Sequence, residues 1–280
     1  MPRAPRSIRK GSSLQSLLDA EAIACLANNL RWAWSAFPRR HFCELAHQGL
    51  ESLGIMDRGG HLAEVLRRCL PARYDQAIEC LLRSLTPPLR ITEDAGLGVF
   101  FYLPHVCFVA KFGLDPEGNG GTDPFEISMR AQYALTRRFT AEFSMRPFLI
   151  QEPRRTIARL LQWTRDPDPH VRRLCSEGSR PRLPWACRIP EFVRDPSPTL
   201  PILESLKDDP ELYVRRSVAN HIGDIAKDHL GLALGLCERW LEGASAERRW
   251  LIRHALRHPA KQGVPRAQNI RKKAESSPSS

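Results

Sequence analysis

No stretch of this chain is apolar for long enough to cross a bilayer. Its most apolar segment, Val99 to Phe112, is short and interrupted by Pro104, His105 and Lys111. The basic opening, MPRAPRSIRKGSS, is followed by Asp19 and Glu21 with no uninterrupted apolar run of signal length, which argues against a secretory leader. Strand-like alternation is nearly missing, which excludes the all-β classes. None of the eight cysteines forms a C-x-x-C, and none pairs with histidines at zinc-finger spacing. They read as small buried hydrophobes of a reducing cytosol, and no metal or organic cofactor is expected. His254 and His258 share i, i+4 spacing without a third ligand and read as a solvated face. Acidic residues are in deficit, 31 against 42 lysines and arginines, for a net charge of +11. That excess favours a polyanionic partner, nucleic acid before anionic membrane.

What is present is helical periodicity. At 280 residues the chain suits one large domain or two small ones. Residues 1–13 are expected to be a disordered basic arm. From Ser13, Leu14, Leu17, Leu18, Ile23, Leu26 and Leu30 fall at threes and fours until Pro38 ends the run. His41 to Leu53, His61 to Leu70 (after a break at Gly59-Gly60) and Tyr74 to Leu85 are predicted as amphipathic helices, and Val99 to Phe112 as a buried one. Gly113 to Gly121 is a loop; its GNGG lacks the strand and lysine of a phosphate-cradling turn. Phe125 to Phe139, Ala141 to Arg146 and Glu152 to Trp163 continue the helices. The last pair is Gly231 to Leu241 and Ala246 to Arg257, the latter with Ser245 as N-cap. Residues 259–280 have little to bury and are expected to form a disordered polar tail.

Between Asp166 and Asp228 one phrase occurs twice. Asp168-Pro169-His170-Val171-Arg172-Arg173 returns as Asp209-Pro210-Glu211-Leu212-Tyr213-Val214-Arg215-Arg216, and Arg172 and Arg215 are 43 residues apart. That interval falls within the roughly 40–47 residue period of HEAT and armadillo repeats. The predicted fold is therefore all-α, a HEAT-like solenoid over residues 14–258 with a concave basic face.

In the second copy Arg216, Asn220 and Asp224 share one helix face at i, i+4 and i+8. Arg173 and Glu177, and earlier Glu142 and Arg146, repeat an arginine–carboxylate theme. Taken singly, such pairs are surface ion pairs worth about 0.3–0.5 kcal/mol each. Here they surround the loop EGSRPRLPW, where prolines at 181 and 184, and a third beyond it at 190, are expected to hold Trp185 in an extended, rigid segment. An indole there is either a buried anchor between repeats or a π-face offered to a base or cation, with Arg180, Arg182 and Arg188 as phosphate contacts. Arg249, Arg253 and Arg257 form a further basic stripe suited to a DNA backbone.

RRLCSEGSRPRLPWA, PTLPILESLKDDPELYVRRSVANHIGDIAKDH and LTRRFTAEFSMRPFL together resemble the AlkC branch of the AlkC/AlkD-type DNA alkylation repair glycosylases. The likeness is strongest from about Phe125 to His229. It implies a HEAT-like fold that removes alkylated bases, notably 3-methyladenine and 3-methylcytosine, from double-stranded DNA without a conventional base-flipping pocket. Family catalytic carboxylates fall on Glu142, Glu177 and Asp224, and the active-site tryptophan on Trp185. Arg173 and Arg216 become backbone contacts. The segment NHIGD departs from the family pattern by its glycine, and the immunoglobulin-like domain of many relatives is not expected here. A monomeric, cytoplasmic, nucleoid-associated enzyme follows. The rival reading is a non-catalytic HEAT-repeat module that binds DNA or protein.

Overall fold

The computed structural model describes residues 13–92 and 96–275, together with Pro2. Among the described residues the secondary structure is α-helix and short 3-10 turns, with no strand. The chain is all-α, as its periodicity predicts. It divides into two compact units, residues 1–147 and 148–280.

In the first unit the helices are α1 (Ala20–Ala33), α2 (Arg39–His47), α3 (Ile55–Cys69), α4 (Tyr74–Arg83), α5 (Leu103–Phe112) and α6 (Phe125–Thr136), and α7 (Glu142–Gln151) crosses the boundary. Asp19 caps α1 by accepting a hydrogen bond from the Ala22 amide, so the expected single run from Ser13 is divided into a 3-10 turn and a helix. The break expected at Gly59-Gly60 does not occur. α3 runs straight through both glycines, and a Cβ on Gly59 would lie 2.6 Å from Leu103 Cγ. The glycine is there to let α3 and α5 approach closely. The expected helix over Val99 to Phe112 begins as a 3-10 turn over Leu97–Tyr102, and α5 takes over with Pro104 in its first turn.

The second unit holds α8 (Pro153–Trp163), α9 (Pro169–Gly178), α10 (Pro190–Arg194), α11 (Leu200–Leu206), α12 (Leu212–Asp228), α13 (Leu230–Leu241), α14 (Ala246–Ala255), α15 (Arg257–Lys261) and α16 (Pro265–Glu275). α12 is its axis and packs against α9, α13 and α14 through Val214, Val218, Ile222 and Ile225, all buried. Gly223, the departure noted in NHIGD, leaves the helix unbroken, with a Cβ at that position falling in ordinary contact with the Ala255 carbonyl of α14 at 3.4 Å.

The expectation of a disordered tail from 259 fails through residue 275. Ala267, Ile270 and Ala274 bury one stripe of α16 against the α13–α14 pair, and that modest area holds it in place. The expected arm lies outside the described residues apart from Pro2 and Ser13, as do residues 276–280.

Candidate active site

The two phrases of the repeat open α9 and α12. Asp168 caps α9 by accepting from the His170 amide at 2.9 Å. α9 ends at Gly178, and the loop that follows doubles back on itself. Ile189 N–H donates to the Pro181 carbonyl at 3.1 Å, with Leu183 and Ile189 buried beneath.

That loop is pinned to α12 at two points. Arg180 donates from Nη1 to Glu177 Oε1 at 2.5 Å and from Nε to Asp224 Oδ2 at 2.7 Å. Arg182 grips Asp228 with two parallel bonds, Nε to Oδ2 at 2.7 Å and Nη2 to Oδ1 at 2.6 Å. Three residues beyond Arg182 stands Trp185, 61% exposed and at φ +61°, the positive-φ non-glycine residue among those described. The loop is therefore not extended at the indole. A bulky side chain in the left-handed region is strained, and such strain persists where the surroundings enforce it. Exposure removes the buried-anchor reading.

Glu177 and Asp224 are drawn to one guanidinium and are 6% and 2% exposed. Asp224 Oδ1 also accepts from Lys227 Nζ at 2.7 Å, and that lysine is well exposed. Arg173 reaches within 3.6 Å of Glu177 and lies over the Tyr213 ring. Burial pushes the Glu177 carboxyl up, but Arg173, Arg180 and the neighbouring Ser217 hydroxyl outweigh it and hold the group below the usual carboxylate range. Behind the pair, His221 is sealed in the interior. Its Nδ1 donates to the Ser176 carbonyl, and burial with the Arg180 charge drops its pKa to about 4, so it is neutral.

Further along the same face of α12, Asn220 Oδ1 accepts from Arg257 Nη2 at 3.0 Å. The expected stripe Arg249, Arg253 and Arg257 does not run along one helix, because α14 stops at Ala255. Arg249 and Arg253 turn to the C-terminus of α16 and cap the Lys273 and Ala274 carbonyls. His254 stacks on Trp250 at 5.0 Å rather than standing on a solvated face. Arg188 and Arg216 are exposed and make no hydrogen bond or ion pair among the described residues.

Glu142 lies in the first unit, nearly buried at the start of α7, where the Thr140 hydroxyl donates to its Oε2 at 2.8 Å. Sequence reasoning placed Arg180 among the phosphate contacts. The structure puts it, 8% exposed, between two acids instead. The i, i+3 spacing of Glu177 and Arg180 was the available signal; the partner on α12 was not visible from spacing. No group of three or more metal-ligating side chains exists among the described residues.

An all-helical chain that sets paired, arginine-held acids next to a loop with an exposed indole belongs structurally with the helical DNA-repair proteins that its motifs resemble. No family model matches it. It is 36% identical over 258 residues to a Bacillus subtilis (strain 168) protein described as uncharacterized protein YhaZ, covering 91% of this chain and 67% of that one. Among solved structures it is similar to the Pseudomonas fluorescens alkylpurine DNA glycosylase AlkC bound to DNA containing an abasic site analog. The identity is 36%, the TM-score 0.81, and the match covers 93% of this chain and 68% of that one. The chain belongs to the AlkC family.

Proposed function

We propose that this protein is a DNA glycosylase that excises cationic alkylated bases, of the 3-methyladenine and 3-methylcytosine type, from double-stranded DNA as a monomer. The observation that carries the reading is the Glu177–Arg180–Asp224 triad under the loop that exposes Trp185. The similarity to an alkylpurine glycosylase held on abasic-site DNA supports the same conclusion.

Alkylation at a ring nitrogen gives the base a positive charge and makes it a good leaving group. It departs neutral, so no strong general acid is needed. Positive charge moves to the deoxyribose as an oxocarbenium-like species, and fixed carboxylates stabilise it there, as in glycoside hydrolysis. Asp224 is the principal stabiliser and orients the water that adds at C1′; Glu177 supports it. Water as nucleophile makes the enzyme monofunctional. Glu142 is a further supporting acid by resemblance. Trp185 contributes a cation–π contact of about 0.5–2 kcal/mol that favours the charged lesion over neutral DNA.

The test is Asp224→Asn in single-turnover excision of 3-methyladenine. The expected result is loss of free-base release with DNA affinity retained or raised. A wild-type rate removes Asp224 from this role.

A further inference from the structure

Buried carboxylates that share a site disfavour each other's charge, and Glu177 and Asp224 are both buried. A cation bonded to both offsets that repulsion. One guanidinium bonds both: Nη1 to Glu177 at 2.5 Å and Nε to Asp224 at 2.7 Å. Glu177 and Arg180 stand three residues apart where α9 runs into the loop, but Asp224 comes from α12, 44 residues on, so helix spacing alone does not complete the group.

We propose that Arg180 is a positioning residue of the excision reaction: it ties Glu177 and Asp224 into one rigid pair and fixes the Trp185 loop to that pair. The inference deepens the glycosylase reading and rests on it. Arginine suits the task and lysine does not, because a planar fork donates in two directions at once, whereas an ammonium is a point charge. The other groups near the pair are Arg173 on α9, Arg182 on the loop, His221 and Lys227 on α12, and Arg257 on α15. His221 is neutral, Arg182 is committed to Asp228, Arg257 bonds Asn220, and Lys227 reaches Asp224 from a solvent-exposed stem. Arg173 reaches the same Glu177 Oε1 at 3.6 Å. Arg180 is thus the group that bonds both acids.

The role has a direct consequence. Without Arg180 the pair keeps Arg173 on Glu177 and Lys227 on Asp224 but has nothing bonded to both carboxylates, so the Glu177 carboxyl takes a proton at higher pH and the fixed geometry of the pair is lost.

The test compares Arg180→Met and Arg180→Lys with wild type in single-turnover excision on methylated duplex across pH 4.5–8.5, beside DNA affinity by anisotropy. The expected result for R180M is a rate at saturating enzyme lower by about 100-fold or more, with affinity within a few-fold. Its acid limb should move up by about one pH unit or more, and added guanidinium should restore part of the rate. R180K should fall between. Weakened DNA binding with an unchanged pH profile would make Arg180 a phosphate contact and overturn the inference. Rate loss with neither a pH shift nor rescue would reduce it to packing and overturn it equally. If R180M does not fold, carboxyl ¹³C titration of Glu177 in R180K against wild type decides: an upward shift supports the role, and no shift overturns it. Asp224→Asn in the same assay separates the two levels. An active D224N sinks the glycosylase mechanism itself, whereas an inactive D224N beside an undisturbed R180M sinks only the role of Arg180.

Discussion

Arg172 and Arg215, 43 residues apart, make the same pair of bonds. Arg172 Nη1 donates to the carbonyls of Asp166 and Pro167 at 2.9 and 3.0 Å, and Arg215 Nη1 to those of Asp209 and Pro210 at 2.5 and 2.8 Å. The true equivalent of Asp209-Pro210 is therefore Asp166-Pro167, one Asp-Pro earlier than the sequence alignment of the two phrases suggests. Each arginine locks the turn that enters its own helix.

The copies differ in one respect. Arg172 also holds Asp209, the acid of the next turn, with bonds of 2.6 and 3.0 Å, whereas the Nε of Arg215 is buried without a partner. The Arg172–Asp209 pair is nearly closed to solvent, so removing one partner strands a buried charge. Asp209→Ala is expected to destabilise the protein by about 3–5 kcal/mol. In a double-mutant cycle with Arg172→Ala by urea denaturation, the double variant should lose far less than the sum. Additive losses would mean that the two side chains do not act as a pair.

The helices, their buried stripes and the Ser245 cap were legible because they depend on local spacing: Ser245 does accept from the Arg248 amide. So was the shared face of Arg216, Asn220 and Asp224, since α12 is continuous. What was not legible depends on partners distant in sequence. Gly59 reads as a helix breaker until Leu103 is seen against it. α16 reads as polar tail because its stripe is only Ala267, Ile270 and Ala274, and its capping arginines lie on another helix. Arg180 reads as a surface cation because nothing in the spacing of the loop reveals Asp224, 44 residues on.

The Trp185 backbone sets stability against activity. At φ +61° an indole-bearing residue pays for a left-handed conformation that glycine adopts freely, and at 61% exposure it returns little burial. Trp185→Gly is expected to raise stability by about 1 kcal/mol while lowering single-turnover excision of a cationic lesion. Trp185→Ala keeps the strain and should lose rate without gaining stability. Thermal melting and excision assays on both variants check the pair; a Trp185→Gly protein that is less stable than wild type would show that the indole packs usefully in solution.

Two buried histidines make stability depend on pH. Burial drops His105 to about 3, and burial with the Arg180 charge drops His221 to about 4, both from an ordinary 6.5. In the unfolded chain each binds a proton near pH 6.5, so below that the unfolded state holds more protons than the folded one. Their contribution is complete above pH 6.5 and is lost as pH falls through the folded values, with a slope of about 1.4 kcal/mol per pH unit for each histidine. Glu177, held low, adds its own loss only below the usual carboxylate range. Urea denaturation from pH 7.5 to 5 should show the slope, and His221→Asn, which keeps a donor for the Ser176 carbonyl, should remove about one proton from it.

The structure sorts the candidate DNA-binding arginines by what they already hold. Arg249 and Arg253 cap α16, Arg182 grips Asp228, Arg257 bonds Asn220, and Arg173 lies over Tyr213. Arg188 and Arg216 keep their charges in solvent, without hydrogen-bond or ion-pair partners among the described residues. A cation free to meet a phosphate releases a counterion when it does so. Arg188→Ala and Arg216→Ala are expected to weaken binding to duplex DNA of any sequence, each reducing the slope of log K against log salt by about one, with melting temperature unchanged. Arg249→Ala and Arg253→Ala should do the reverse: α16 loosens and the melting temperature falls, while the salt slope stays within error of wild type. A salt slope that Arg216→Ala leaves untouched would take the exposed face of α12 out of the DNA-binding surface.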